Sequence, residues 1–241
     1  MKKYIDRLYK NDKESYYKIL ENDLKNNAKK FIVTVNPETL IIAEKDLELK
    51  KILDDDSVSL VPDGIAVVKA SKWLNAAVKE RITGVDIAEK LLSIANENKY
   101  SLYLFGAKKE VIKKLVDKIS SKYQGIRILG ASNGYAHDKD KIMKEIVKLK
   151  PDICMVALGI PMQEKIIYKY LSKFNKGIFI GVGGSFDVLS DSKKRAPKFF
   201  IKTNTEWLYR IVTEPKRLKR FWNNNIKFVL RVFKIKNNNN N

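Results

Sequence analysis

The chain has 241 residues, 44% of them hydrophobic, and a formal net charge of +20. This length predicts one domain with an appendage. A single histidine and a single cysteine exclude a zinc site of His and Cys ligands and an internal disulfide. The charge indicates a polyanionic partner, of the class of nucleic acid, anionic membrane or phosphorylated substrate.

The first thirty residues are highly charged and predict a polar helix, which argues against an N-terminal signal peptide. No later stretch approaches the run of about 20 apolar residues that spans a bilayer. We therefore expect a cytoplasmic protein, peripheral on the inner face of the cell membrane if it binds lipid.

Short apolar runs then alternate with amphipathic helical patterns. The predicted strands cover residues 31–35, 58–61, 101–105, 126–129, 153–158 and 177–182. The predicted helices between them cover residues 86–98, 108–121, 139–149 and 162–174. Several strands are continuously apolar, which is typical of strands buried on both faces of a parallel sheet. The alternation predicts an α/β fold, with a mainly parallel sheet flanked by helices as in a Rossmann-like core.

Ligands of such sheets bind beyond the carboxyl ends of the strands, so the residues that follow each strand are the candidates for a site. Asp63 follows the second strand within Pro62-Asp63-Gly64. A carboxylate there suits a general base, but the same sequence is typical of a turn or a helix cap. Residues 181–187 follow the sixth strand and contain three glycines. They fit a phosphate-binding loop or a tight turn equally well.

Two further charged groups have alternative interpretations. Arg81 precedes the helix at 86–98 and could neutralise phosphate or lie on the surface. The acidic run 54–56 could hold a metal. However, it precedes a strand and so lies at the end of the sheet opposite to the expected ligand site, and we interpret it as a solvated turn. No other carboxylate cluster suits Mg²⁺. We therefore expect no metal and no cofactor, and arginines would balance any phosphate charge.

The last fifth of the chain is strongly basic. Residues 193–236 contain fourteen Lys and Arg against two acidic residues, a net charge of +12. Pro215 fits the first turn of a helix there. An apolar stripe follows at helical spacing, formed by Leu218, Trp222, Ile226, Val229 and Phe233 and widened by Phe221, Val232 and Ile235. A basic helix of this kind suits an anionic bilayer surface, or packs on the core as an ordinary terminal helix.

These features predict an α/β core at 1–192, which the resemblance described next implies is catalytic, a basic helical appendage at 193–236 that we expect to associate with membrane, and a disordered asparagine tail at 237–241. The chain contains a series of different short motifs, at residues 34–37, 62–65, 81–86, 104–106, 158–164, 181–187, 195–197, 206–210 and 214–220. In this order and spacing they resemble the WecG/TagA/CpsF glycosyltransferase family, and its TagA members most closely.

The resemblance implies a metal-independent, inverting transferase. Its best-known reaction moves N-acetylmannosamine from UDP-ManNAc to undecaprenyl-diphosphate-linked GlcNAc, which makes the linkage unit of wall teichoic acid. Relatives transfer other sugars, such as ManNAc uronate or glucose, in capsule or exopolysaccharide synthesis. They also form oligomers, so the implied partners are a UDP-sugar, a polyprenyl-diphosphate-linked sugar, the membrane surface and further copies of the chain.

The resemblance also implies roles for individual residues. Asp63 matches the proposed catalytic base. The residues that match the substrate-binding pocket are Thr34, Asn36, Arg81 and Gln163. The uridine nucleotide region matches Gly183 and Asp187, and the appendage arginines that would face the diphosphate match Arg210, Arg217 and Arg220. A different class, a nucleic-acid-binding protein with a basic tail, remains the alternative, although no nucleic-acid-binding motif occurs in the sequence.

Overall fold

The computed structural model describes residues 1–203, 205–213 and 218–238, and leaves the side chains of Lys198, Lys202, Arg210, Lys219 and Arg220 undescribed. Its strands are β1 Lys29–Val35, β2 Val58–Pro62, β3 Ser101–Gly106, β4 Arg127–Ser132, β5 Ile153–Ala157 and β6 Gly177–Gly181. They form one sheet in the order β2-β1-β6-β5-β3-β4, and every pairing is parallel. The predicted α/β fold with a parallel sheet is confirmed.

Helices cover both faces of the sheet, as in other doubly wound folds. Their bounds are α1 Lys2–Asp6, α2 Lys13–Lys25, α3 Pro37–Ala43, α4 Leu47–Asp54, α5 Ile65–Trp73, α6 Gly84–Asn98, α7 Lys109–Lys122, α8 Lys139–Leu149, α9 Met162–Leu171, α10 Ser185–Leu189, α11 Lys198–Lys202, α12 Glu206–Thr213 and α13 Leu218–Asn238. Alternate side chains of β1 enter different cores, Phe31 and Val33 on one face and Ile32 on the other. This alternation explains why the strands read as continuously apolar.

All six predicted strands and the four predicted helices between them are present, with ends that differ by at most three residues. Helices α3, α4 and α5 are not among the predicted ones. They lie on the same face of the sheet as α8 and α9 and add Leu40, Leu53 and Val67 to its core.

The terminal helix α13 packs on α3 and α5. Its buried side chains are Phe228 and Val232, whereas Trp222 and Leu230 are about 60% exposed. The buried face therefore lies at the side of the predicted apolar face that contains Val232, and Phe233 of the stripe contacts Trp73 of α5 with ring centroids 5.0 Å apart. The apolar arc of α13 is wider than one packing interface needs, and a second apolar strip stays exposed beside the buried one.

Candidate active site

Asp63 lies between the end of β2 and the start of α5. Its backbone N–H donates to the carbonyl of Val35 over 2.8 Å, which ties it to the end of neighbouring strand β1. Gly64, with a φ of +106°, is the N-cap of α5, and no side chain caps that helix. The interpretation of Asp63 as a helix cap is therefore wrong. Its half-buried carboxyl lies at the carboxyl edge of the sheet, where the sequence predicts a ligand.

The end of β1 adds two polar groups beside Asp63, since Val35 is paired with Pro62 across the two strands. The Oδ1 atom of Asn36 caps α3 by accepting from the N–H of Thr39 over 3.0 Å. The Asn36 amide nitrogen and the Thr34 hydroxyl donate to no other group in the described part of the chain. Both remain available to a bound molecule.

Arg81 joins this corner from the loop before α6. The N–H of the next residue, Ile82, donates to the carbonyl of Pro62 over 2.8 Å, which fixes the loop against the end of β2. The Arg81 side chain is only 12% exposed, and its Nη2 atom lies 3.2 Å from Oε2 of Glu206 on α12. The interpretation of Arg81 as a surface arginine is wrong, because a residue of the appendage covers it.

The start of α6 links this corner to the glycine-rich segment after β6. Thr83 caps the helix in a capping box with Asp86, so the helix begins at Gly84, two residues before its predicted start. A methyl group on Gly84 would lie 3.8 Å from Thr34 Cγ2 and 3.6 Å from Ser185 Oγ. The end of β1, the start of α6 and the start of α10 are therefore in contact.

Gln163, on the first turn of α9, connects two glycine turns. Its Oε1 atom accepts from the N–H of Gly159, after β5, over 3.1 Å and from the N–H of Gly183, after β6, over 3.0 Å. The side chain is 2% exposed and passes directly over Gly181, where a methyl group would lie 2.6 Å from its Nε2 atom. Glycine is thus favoured at 181 by close approach, and at 183 by a φ of +49°.

Glu164 lies beside Gln163 and is 1% exposed. Its Oε1 atom accepts from Gln163 Nε2 over 2.7 Å. Burial raises the pKa of this carboxyl to about 7, and the negative charge of Glu38 adds to the shift. A carboxyl that titrates near neutrality at the edge of a candidate site is typical of functional sites.

The segment from Gly181 leads into the short helix α10, whose first turn carries Asp187. The Asp187 carboxylate is partly exposed and has no ion-pair partner within the described residues. Strands β2 and β6 lie on either side of β1. Neighbouring strands are about 4.8 Å apart, so the Asp63 and Gly183 ends are separated by roughly 10 Å at the same edge. That span suits a small molecule lying across the end of β1.

The appendage begins at an anchored arginine. Arg195 donates to Asp86 and, over 2.6 Å, to Glu89, both on α6. Further along, the rings of Trp207 and Phe221 stack with their centroids 5.0 Å apart and join α12 to α13. The appendage is thereby held over the corner that contains Arg81.

The three appendage arginines of the sequence analysis cannot be placed in the site. Arg217 lies outside the described residues, as does Pro215. Arg210 lies on α12 and Arg220 on α13, but their side chains are outside the described part. Their expected contact with a diphosphate stays a prediction. The first two residues of the predicted disordered tail, 237–241, belong to helix α13 instead, and the rest of that tail lies outside the described residues.

The acidic run before β2 lies at the opposite edge of the sheet, as predicted, but it is bound to protein groups and is not merely a solvated turn. Asp54 pairs with Lys3 at 2.5 Å and Asp55 accepts from the Tyr168 hydroxyl over 2.7 Å. Among the described residues, no group of three or more His, Cys, Asp or Glu side chains is placed to hold a metal ion.

The single cysteine and the single histidine have plain structural positions. Cys154 is buried in β5, and burial raises the pKa of its thiol to about 12, so it is no nucleophile at neutral pH. His137 is exposed on a loop. Within residues 1–203, 205–213 and 218–238, no helix has the length and apolar content of a membrane-spanning segment.

Sequence reasoning missed the parts played by Glu164 and Glu206. Glu164 follows Gln163 in the motif at residues 158–164, but nothing in the spacing indicates that the pair is buried and hydrogen-bonded. Glu206 is one of only two acidic residues in the basic appendage. That isolation is the one signal that could have pointed to a specific arginine partner.

Known proteins are similar to this chain in sequence. Residues 5–241 match the family model described as the glycosyl transferase WecG/TagA/CpsF family. The chain is 46% identical over 189 residues to the N-acetylglucosaminyldiphosphoundecaprenol N-acetyl-beta-D-mannosaminyltransferase of Bacillus subtilis, covering 78% of this chain and 73% of that protein.

Proteins with the same name in two further organisms are also similar. The one from Bacillus spizizenii is 39% identical, covering 82% of this chain and 76% of that protein. The one from Staphylococcus aureus is 36% identical, covering 79% of this chain and 74% of that protein. The family match extends over both the sheet and the appendage, so the chain belongs to the WecG/TagA/CpsF family of glycosyl transferases.

Proposed function

We propose that this protein transfers N-acetylmannosamine from UDP-ManNAc to GlcNAc-diphosphoundecaprenol, the linkage step of wall teichoic acid synthesis. The similar bacterial proteins carry the name of this acceptor and of this sugar. The observation that carries the proposal is the position of Asp63. Its backbone N–H binds the Val35 carbonyl at the carboxyl edge of the sheet, and the loop that carries the buried Arg81 binds the carbonyl of the preceding residue, Pro62.

In the proposed reaction, the Asp63 carboxylate accepts the proton of the attacking acceptor hydroxyl. The hydroxyl oxygen forms a bond to the anomeric carbon of the donor sugar, and the bond from that carbon to the UDP oxygen breaks. One displacement of this kind inverts the anomeric centre. A general base of this type needs only to be within hydrogen-bond reach of the hydroxyl.

The leaving UDP carries two phosphates, whose charge needs a counter-charge. Arg81 has five N–H donors, and the Glu206 contact uses Nη2, so the others can reach an anionic oxygen. Arg210, Arg217 and Arg220 are proposed to complete this environment when the appendage covers the donor. Arginine in a covered site stabilises developing phosphate charge strongly, because the local dielectric constant is low.

The donor nucleotide is proposed to lie on the glycine-rich side. Gly183 and Asp187 lie at the start of α10, and Gln163 holds the backbone of this turn. Thr34 and Asn36 lie between this turn and Asp63 and offer a hydroxyl and an amide N–H to the sugar. The sugar would thus lie across the end of β1, with its anomeric carbon toward Asp63.

The appendage is proposed to meet the membrane that carries the lipid-linked acceptor. Trp222, Leu230 and Phe199 are exposed large apolar residues on α13 and α11, and the surrounding segment has a net charge of +12. Large apolar side chains together with basic residues suit an anionic bilayer surface. Nucleic acid would need the charges but not the exposed tryptophan and leucine.

The first experiment is a donor screen with a soluble GlcNAc-diphosphate-lipid analogue, in which UDP release and the disaccharide product are both measured. UDP-ManNAc should be used at least ten times faster than UDP-GlcNAc or UDP-glucose. Faster use of another UDP-sugar would reject the linkage step and favour a capsular or exopolysaccharide transferase of the same family. No UDP release with any donor would reject the transferase proposal.

A further inference from the structure

Glu164 is a buried acid whose two carboxyl oxygens have different surroundings. Oε1 accepts from Nε2 of Gln163 over 2.7 Å. Oε2 is completely buried and has no hydrogen-bond partner among the described residues. Neither oxygen is therefore in a position to touch a substrate in this conformation. Any role of Glu164 in the reaction has to act through Gln163.

The amide of Gln163 can perform its role in one orientation only. Oε1 accepts two backbone N–H groups, from Gly159 and Gly183, so a flipped amide would point its own N–H donors at two other donors. In the observed orientation Nε2 needs an acceptor within the buried interior, and Glu164 supplies it. A buried donor without an acceptor costs free energy comparable to the loss of a hydrogen bond.

Stability alone does not explain a carboxyl at this position. The residue is 1% exposed, and an apolar side chain of similar shape would remove a buried charge and a buried oxygen without a partner. The raised pKa of Glu164, about 7, is the sign of that cost. What the carboxyl provides instead is the acceptor that keeps Gln163 bonded to both glycine turns.

We propose that Glu164 is a positioning residue for the nucleotide site, which holds the Gln163 amide so that the turns after β5 and β6 keep the spacing that the donor requires. This inference rests on the proposed function, because it takes the turn at Gly183 as part of the donor site. Its prediction is specific: the acceptor oxygen at residue 164 matters, and the negative charge does not.

The test compares Glu164→Met, which removes the acceptor, with Glu164→Gln, which keeps an acceptor and removes the charge. For each full-length variant, kcat and KM for UDP-ManNAc are measured, together with UDP affinity by calorimetry and the melting temperature. We expect Glu164→Met to raise KM and weaken UDP binding by about tenfold, with kcat changed less than about threefold. Glu164→Gln should stay within about threefold of wild type in kcat, KM and UDP affinity.

Asp152→Asn is the matched control. Asp152 is also a buried carboxylate, bound to Ser101 and Lys176, but it precedes β5 at the opposite edge of the sheet. This variant should lower the melting temperature and leave KM unchanged. Glu164→Met should do the reverse at pH 8, with KM raised and the melting temperature equal or higher. A purely structural role for Glu164 would not produce that contrast.

Glu164→Asp provides a second route if Glu164→Met does not fold, since the shorter side chain withdraws the acceptor and should also raise KM. Wild-type KM and UDP affinity in Glu164→Met or in Glu164→Asp would overturn the positioning role. So would a loss in Glu164→Gln as large as that in Glu164→Met, because the charge would then be what matters. Failure of the wild-type enzyme to bind UDP would instead contradict the proposed function.

Discussion

Arg81 and Glu206 form an ion pair across 125 residues of sequence, with Nη2 and Oε2 3.2 Å apart and with both side chains largely buried. Arg81 belongs to the corner that contains Asp63, and Glu206 opens α12 of the appendage. The pair therefore joins the appendage to the core at the candidate site. Placement of the appendage and placement of Arg81 are coupled by this contact.

The first prediction concerns the energy of this pair. Removal of one partner leaves a buried charge, so Arg81→Ala and Glu206→Ala should each lower the free energy of unfolding by about 3 kcal/mol. The double variant should lose less than the sum of the two, because either single removal already breaks the ion pair and the second breaks no further contact between the two side chains. Denaturant unfolding of the four proteins measures this coupling.

The control is Asp56→Ala, which removes the acid of a pair in which Asp56 is 96% exposed and lies 3.3 Å from Arg7. An exposed pair of this kind contributes at most about 1 kcal/mol. Additive losses for Arg81→Ala and Glu206→Ala would show that the two side chains do not depend on each other in solution.

The second prediction concerns Asp63 as the base. Asp63→Asn keeps the size of the side chain but cannot accept a proton, so kcat should fall by a factor of about 10² to 10⁴. KM for the donor and UDP affinity should change little, since the base acts on the acceptor hydroxyl. Asp56→Asn, at the opposite edge of the sheet, serves as control with full activity. A kcat for folded Asp63→Asn close to the wild-type value would remove Asp63 from the mechanism.

The third prediction concerns the dependence of stability on pH. The unfolded Glu164 carboxyl has its ordinary pKa of 4.5, whereas burial raises the folded pKa to about 7. Between these values the folded state retains a proton that the unfolded state has lost, so the free energy of unfolding falls as pH rises from about 4.5 to 7. At about 1.4 kcal/mol per pKa unit, the loss amounts to roughly 3 kcal/mol.

Glu164→Gln has no proton to lose and should escape this decline. Its free energy of unfolding relative to wild type should therefore rise by about 3 kcal/mol between pH 4.5 and pH 8. Chemical denaturation of both proteins at several pH values gives the difference directly. An equal pH dependence in the two proteins would mean that Glu164 is not buried as described.

The fourth prediction concerns close approach at the glycine turn. In Gly181→Ala, the new methyl group would lie 2.6 Å from Gln163 Nε2 and 2.8 Å from its Cδ atom, so the side chain must move. We expect KM for the donor to rise about tenfold, as in Glu164→Met, and the protein to lose about 1–3 kcal/mol of stability.

Gly84→Ala is the control for that substitution. Its methyl group would make only ordinary contacts, of 3.6 Å or more, and Gly84 lies in the first turn of α6. Alanine favours helix by up to about 1 kcal/mol relative to glycine, so stability should be equal or higher. A normal KM in Gly181→Ala would separate the Gln163 contact from donor binding.

The sequence predicted the sheet well because each strand is an uninterrupted apolar run, and because polar residues of the site follow the strands directly. Helix α3 was missed because its seven residues, Pro37–Ala43, are too few to show a helical period. With α3 and α5 missing, the surface on which α13 packs was also missing. The buried face of α13, with Phe228 and Val232, could therefore not be distinguished from the exposed stripe.

Within the candidate site, sequence motifs predicted which residues take part but not how they are held. The burial of Arg81 depends on Glu206, which only the folded chain brings near. The hydrogen bonds of Gln163 depend on two turns that follow different strands. Contacts of this kind arise from tertiary packing and have no local signature in the sequence.

The last prediction concerns the exposed apolar strip of α13. Trp222 and Leu230 are 60% and 63% exposed, and neither belongs to the buried face that packs on α3 and α5. Replacement of both by serine should therefore leave the melting temperature within about 2 °C of wild type. It should weaken binding to anionic vesicles by tenfold or more, since transfer of each side chain into the bilayer interface contributes about 1–2 kcal/mol.

Leu47→Ser is the matched control, because Leu47 is also an exposed leucine, 79% exposed, but lies at the start of α4 in the core. Its vesicle binding should equal that of wild type. Higher salt should weaken binding of all three proteins, since the basic residues contribute through screened charge. Equal flotation of the double variant and wild type at all salt concentrations would mean that the strip does not enter the bilayer, and that charge alone holds the appendage at the surface.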